Sequence, residues 1–224
     1  MDPTGGSLAG AYTWGMDIAG MRREYGGVEL LEENIPSNPS HLFEQWFEEA
    51  VAAGVTDPNS MVLSTVGLSG TPSSRVVLAK NITDRGVTFF TNYDSQKGHE
   101  IGANPNVSLL FQWAELNRVV RIDGRAERIS EEDSDRYFDS RPRGSRLGAL
   151  ASPQSQVIAS RSVLTDKIAE LEKSGDPIKR PVNWGGYLVK PTSIEFWQGR
   201  PDRVHDRIRY RVEGTQWVKE RLAP

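Results

Sequence analysis

The chain contains no cysteine. That excludes disulfides, thiolate catalysis, and thiolate-ligated zinc or iron–sulfur centres. Histidine is scarce as well: His41, His99 and His205 lack the spacing of a ligand set, so no metal is expected. No stretch approaches the roughly 18 apolar residues of a membrane span. Positive charge is not in surplus, because 27 Lys and Arg face 30 Asp and Glu for a net charge of −3. Nonspecific nucleic-acid binding draws on a strong basic excess, so neither nucleic acid nor a membrane is an expected partner. The N-terminus lacks the basic-then-apolar pattern of a signal peptide, and a cytoplasmic location is the expectation.

What is present is enough for one large domain with its own core: 224 residues, 37% of them hydrophobic. Residues 1–20, rich in glycine and small side chains, read as a mobile N-terminal arm. Residues 21–224 read as a single domain. Leu42, Phe43, Trp46, Phe47, Ala50 and Val51 share one face of a predicted helix over 41–54, with Ser40 as its cap and Gly54 at its end. Short β-rich runs follow at 61–66, 73–80, 87–91, 107–113 and 117–128. Helical patterns occupy 131–139, 143–150 and 161–173. Strands return at 187–190 and 193–197, with a closing hairpin over 208–212 and 217–221. Strands at hairpin spacing that do not alternate with helices predict a predominantly β fold with flanking helices, a meander closing into a barrel.

The densest chemistry lies between Trp197 and Tyr210, which holds Arg200, Arg203, His205, Arg207 and Arg209. A cluster of this kind needs anionic company, and in a mildly acidic protein a local basic pocket suits a small anion. In an extended segment Arg203, His205 and Arg207 would share one face, and the two cations would favour a neutral imidazole. Arg75 and Lys80 stand five apart on a predicted strand, so one of them is expected at its end. Ser95 is positioned to cap a helix whose free N–H groups, with Lys97, make a reasonable phosphate site. Arg141, Arg143 and Ser145 surround Pro142 between two helices. Their planar guanidinium groups call for either a ligand phosphate or an internal carboxylate such as Asp139, Glu131 or Glu132. Gln154 and Ser155 offer neutral hydrogen bonds. No nucleophile–base–acid set for hydrolysis stands out.

Taken together and in order, several segments resemble the pyridoxamine/pyridoxine 5'-phosphate oxidase family over roughly residues 20–224. They are Arg75 through Lys80, Phe89-Phe90-Thr91-Asn92, Ser95-Gln96-Lys97-Gly98, Tyr137 through Ser145, Gln154-Ser155, Trp184-Gly185-Gly186-Tyr187, Glu195 through Arg209 and Glu220 through Pro224. The resemblance implies an FMN-binding split β-barrel that forms a homodimer, with noncovalent FMN at the subunit interface. It implies cofactor contacts from Arg75, Val76, Val77, Leu78, Lys80, Phe90, Thr91, Ser95, Gln96 and Lys97. Gln154, Ser155, Trp197 and Arg207 would complete that environment from the partner subunit. Lys80, Tyr137, Arg141 and Ser145 would clamp the substrate phosphate, and Arg203 and His205 would orient the pyridine ring as the catalytic pair. Arg22 and Tyr25 match an arm that folds over substrate. The implied reaction oxidises pyridoxamine or pyridoxine 5'-phosphate to pyridoxal 5'-phosphate, with molecular oxygen reduced to hydrogen peroxide.

Three positions depart from the family pattern. Gln96 stands where arginine is common, Val119 where a glutamine of the flavin-ring environment is common, and Leu150 where tryptophan is common. Gln96 and Val119 add weight to a related split-barrel flavoenzyme acting on another compound, such as a phenazine precursor; a noncatalytic FMN or pyridoxal-phosphate binding protein is a further alternative of a different class. Arg200 and Arg209 read as surface or structural charge.

Overall fold

In the computed structural model, Gly20 and residues 24–224 are described. The rest of the expected 1–20 arm, and Arg22, lie outside the described residues.

Asn38 caps α1 (Pro39–Ala52), its Oδ1 accepting from the Ser40 N–H at 3.0 Å. The cap expected at Ser40 therefore sits two residues earlier, because Pro39, with its fixed φ, already fits the first helical turn. Gly54, at φ +71°, follows the helix end. The helix seats Phe43 edge-on to Phe111, at 5.1 Å between ring centroids, and Trp46 edge-on to Phe196 at 5.2 Å. All four rings are buried, and each contributes roughly 1.5–3 kcal/mol of transfer free energy.

Nine antiparallel strands form one sheet: β1 (Ser60–Val66), β2 (Pro72–Leu78), β3 (Asn81–Thr83), β4 (Gly86–Asn92), β5 (Asn106–Trp113), β6 (Arg118–Arg128), β7 (Trp184–Gln198), β8 (Asp206–Glu213) and β9 (Gln216–Arg221). Burial alternates along β1 and β5, which turn Leu63, Leu109 and Phe111 inward. Helices α2 (Gln96–Ala103), α3 (Glu131–Ser140), α4 (Arg143–Ala151) and α5 (Ser162–Ser174) flank the sheet. None of the described helices is long and apolar enough to cross a membrane.

The sheet order is β2-β1-β5-β6-β7-β4-β3, with β8 also on β7 and β9 beyond it. The two strands expected at 187–190 and 193–197 are a single 15-residue β7. Pro191 and the β6–β7 register shift at Asp123/Gly124 fall where the two runs meet, so the proline is absorbed by an irregularity rather than ending the strand. Because β7 is long, its first half pairs with β4 and its second half with β8. The sheet therefore splits there. Its far end curls back: Lys80, in the link after β2, donates its N–H to the Thr88 carbonyl of β4 at 2.8 Å.

Candidate active site

Where β2 approaches β4, the chain forms a cleft of about 430 Å³ lined by Arg75, Val76, Val77, Leu78, Lys80, Phe90, Thr91, Lys97, Tyr137, Arg141, Gln154 and Trp184. Eleven of these twelve were singled out from the sequence. Trp184, the twelfth, lies in the Trp184-Gly185-Gly186-Tyr187 segment of the family resemblance, which gives it no role; its place before Gly185-Gly186 is the available signal. Lys80 lies past the end of β2, as its spacing from Arg75 required. Four cations, Arg75, Lys80, Lys97 and Arg141, face the cleft, and among the described residues no carboxylate lines it.

Each cation is held differently. Arg75 is anchored through Nη1 to the Leu63 carbonyl and Thr65 Oγ1, and through Nη2 to Ser73 Oγ and Glu100 Oε2. Lys97 is buried, and its Nζ meets only two hydroxyls, Thr91 Oγ1 and Ser95 Oγ, each at 3.3 Å. Burial, and then the neighbouring Arg75 charge, push its ammonium below the usual lysine range. Arg141 lies 4.7 Å over the Trp184 ring, and its buried Nη1 has no partner. The carboxylate partners expected as alternatives, Asp139, Glu131 and Glu132, do not reach it. Phe90 stacks on Tyr137 at 3.8 Å and on Trp184 at 5.5 Å, giving the cleft a ladder of parallel rings.

Other expected contacts are placed elsewhere. Ser95 is fully buried as the α2 cap, accepting the Gly98 N–H and donating to the Asn92 carbonyl. Gln96 turns to Glu100, with Nε2 to Oε1 at 2.9 Å, and does not line the cleft. Ser145 is exposed on the first turn of α4 and is also absent from the lining. Gln154, assigned by resemblance to the partner's side, reaches into its own chain's cleft, where its Oε1 accepts from Thr91 Oγ1 at 3.2 Å and the Asn92 N–H at 3.3 Å. The adjoining Ser155 adopts φ +72° and is exposed. Leu150 lines a neighbouring recess with Gln154 and Asn92.

Trp197, Arg203, His205 and Arg207 do not line this cleft. The single extended face expected for Arg203, His205 and Arg207 does not form. Pro201–Arg203 is a tight 3-10 turn, with Asp202 and Arg203 at φ +55° and +59°, and β8 begins only at Asp206. The turn packs His205 against Trp197 at 4.7 Å, and Tyr25 meets both rings edge-on at 5.4 and 5.8 Å. The Arg200 N–H donates to His205 Nδ1 at 3.1 Å, which assigns the proton of the neutral ring to Nε2. Desolvation, then the Arg203 charge, lower the His205 pKa below its ordinary value of 6.5.

Arg207 turns instead to Glu195, with Nε to Oε1 at 2.7 Å, and to the Ala223 carbonyl at 2.9 Å. With Val119, Trp197 and Pro224 it lines a second cleft of about 270 Å³. Glu195 and Glu100, the carboxylates that hold Arg207 and Arg75, had no assigned role in the sequence reading. Their pairings run between strands or from strand to helix, which no local motif announces.

The curled antiparallel sheet with its cationic, ring-walled cleft defines a split-barrel protein. Comparison with known proteins gives the family. Residues 47–175 match the model of pyridoxamine 5'-phosphate oxidase, and residues 184–224 match the pyridoxine 5'-phosphate oxidase C-terminal dimerisation region. The chain is 51% identical over 213 residues to the pyridoxine/pyridoxamine 5'-phosphate oxidase of Verminephrobacter eiseniae, covering 93% of this chain and 99% of that one. It is 52% identical over 210 residues to the Rubrobacter xylanophilus enzyme of the same name, covering 93% and 97%. Among solved structures, PhzG from Burkholderia lata, in complex with tetrahydrophenazine-1-carboxylic acid, superposes with a TM-score of 0.83 at 34% identity, covering 89% of this chain and 100% of that one. The chain belongs to the pyridoxamine 5'-phosphate oxidase family.

Proposed function

We propose that the chain is an FMN-dependent oxidase that converts pyridoxine or pyridoxamine 5'-phosphate to pyridoxal 5'-phosphate. It works as a homodimer in which residues 21–224 of each chain act as one unit. The observation that carries this reading is the cleft with four cations, no carboxylate and a ladder of rings. Buried Lys97 and the unpartnered Nη1 of Arg141 both call for an anion, and a flavin phosphate and a substrate phosphate supply two. The half-exposed Val76 and Leu78 side chains on the outer strand β2 fit an apolar ring system. The curated relatives near 50% identity carry this activity in their names.

Bound FMN supplies the two-electron acceptor, which oxygen restores as it becomes hydrogen peroxide. The protein supplies binding and orientation. Arg75, preset by Glu100, and Lys97 hold the cofactor phosphate. Lys80, Tyr137 and Arg141 grip the substrate phosphate, so that binding energy remote from the reacting carbon fixes its position. Arg203 and His205, from the partner subunit, orient the pyridine ring. With its proton on Nε2, His205 donates a hydrogen bond and is not required to take a proton. Pyridoxine phosphate yields the aldehyde directly; pyridoxamine phosphate yields an imine that water converts to the aldehyde and ammonia.

A phenazine precursor is the second reading, favoured by Val119 and by the likeness to PhzG. One experiment separates the two. The FMN-loaded protein is mixed anaerobically with each B6 phosphate and, separately, with a reduced phenazine precursor, flavin absorbance is followed, then oxygen is admitted and products are identified. Bleaching by the B6 phosphates and formation of pyridoxal phosphate are expected. Stoichiometric FMN that neither compound bleaches would reject the oxidase reading, and bleaching by a reduced phenazine precursor alone would reassign the substrate.

A further inference from the structure

Arg200, read from the sequence as surface or structural charge, joins two parts of the chain about 170 residues apart. Its Nη1 donates to the Gly27 carbonyl, its Nη2 to Glu29 Oε1 at 2.8 Å, and its Nε lies 3.6 Å from Asp206 Oδ2. Asp206 Oδ2 also accepts the Leu30 N–H at 3.2 Å. Asn117 Nδ2 donates to the Gly26 carbonyl at 2.9 Å. Apart from the Arg200–Asp206 ion pair, which is internal to the barrel side, these contacts fall on the segment that carries Tyr25, and the backbone N–H of the same Arg200 holds His205.

The seat for this segment is shaped to fit it. A side chain at Gly199 would stand 3.0 Å from Tyr25 Cβ, and one at Gly27 would stand 2.4 Å from Gln198 Nε2. Gln198 cannot readily yield: it is buried, donates to the Leu116 and Asn117 carbonyls, and accepts from Arg118 Nε at 2.9 Å. Close approach at two glycines and a charged clasp between them indicate a built contact surface.

We propose that Arg200 is a positioning residue that clasps residues 25–30 against the barrel and so fixes Tyr25 and His205 over the substrate position. The effect on substrate rests on the oxidase reading; the clasp does not. Arg200 lines neither the cationic cleft nor the one beside Arg207, so its loss should weaken substrate capture and leave the chemistry intact.

The test uses FMN-loaded wild type, Arg200→Ala and Gly27→Ala. The second variant changes an exposed position on the segment itself, so the barrel folds even if the first variant fails. Amide exchange over residues 24–30 should accelerate about tenfold or more in both, the loss expected for a charge-assisted contact. KM for pyridoxine 5'-phosphate should rise about tenfold with kcat within about twofold, while FMN affinity, read by fluorescence quenching, stays unchanged. The His205 ring resonances should shift as the Tyr25 edge withdraws. Unchanged exchange in both variants overturns the clasp, and faster exchange with unchanged KM overturns the positioning role. If wild type fails to oxidise B6 phosphates, the oxidase reading falls, while exchange and the His205 resonances still decide the clasp and its effect on His205.

Discussion

The Arg207 guanidinium is fixed by Glu195 on the neighbouring strand, Nε to Oε1 at 2.7 Å, and the other carboxylate oxygen lies 2.8 Å from Arg121. Glu195 is buried while both arginines keep partial access to water. Glu195→Gln keeps the size and removes the charge. It is expected to lower stability by about 1.5–3 kcal/mol, the range for hydrogen bonds to charged groups, read from urea unfolding. FMN affinity should fall with it, because Arg207 is no longer aimed. Unchanged FMN binding would show that Arg207 does not serve the cofactor.

The lowered pKa of His205 has a definite sign. Its folded value lies below the unfolded one, so between the two the unfolded chain binds more protons and stability rises with pH. This contribution is complete above the ordinary value of 6.5 and is lost as pH falls through that value toward the folded one. A histidine-resolved NMR titration should place the midpoint below 6.5, and Arg203→Ala should move it upward. An unmoved midpoint would show that the Arg203 charge does not act on the ring.

Glu100 behaves as an acid-stability element. Burial alone would raise its pKa, but hydrogen bonds from Ser73, Thr65 and Gln96, with the Arg75 charge, bring it down to about 2. Its stabilising contribution is therefore full above the usual carboxylate value of 4.5 and declines as pH falls toward about 2. Glu100→Gln should lower the urea midpoint at neutral pH and flatten its fall between about pH 5 and pH 2. A variant with the wild-type acid profile would contradict the assignment.

The barrel was legible because β-rich runs recur at hairpin spacing and do not alternate with helices, and in the structure β1 and β5 turn every second side chain inward. The wall of the cleft was legible for a different reason. Arg75 to Lys80, Phe90-Thr91 and Lys97 lie in segments that carry the family resemblance, and β2, β4 and α2 bring them to one place. Relationships across long stretches of chain were not legible. Residues 187–190 and 193–197 read as two strands because their continuity through Pro191 depends on an irregularity in the pairing with β6, and the Arg200 charge read without a named partner because Gly27 and Glu29 lie at the other end of the chain. The turn at Asp202-Arg203 was missed because left-handed backbone at two non-glycine residues has no sequence signature.

The unbroken length of β7 has a consequence for inheritance of function between subunits. Trp184, in the cationic cleft, and Trp197, beside His205, sit near its two ends, separated by on the order of 40 Å at the rise of an extended strand. On the dimer reading, each chain lends one end of this strand to each of two composite sites. A mixed dimer of one chain damaged at Lys97 and one damaged at Arg207 would then concentrate both lesions in a single site and leave the other whole. Two inactive parents would yield active offspring by complementation, through a strand whose two ends serve different sites.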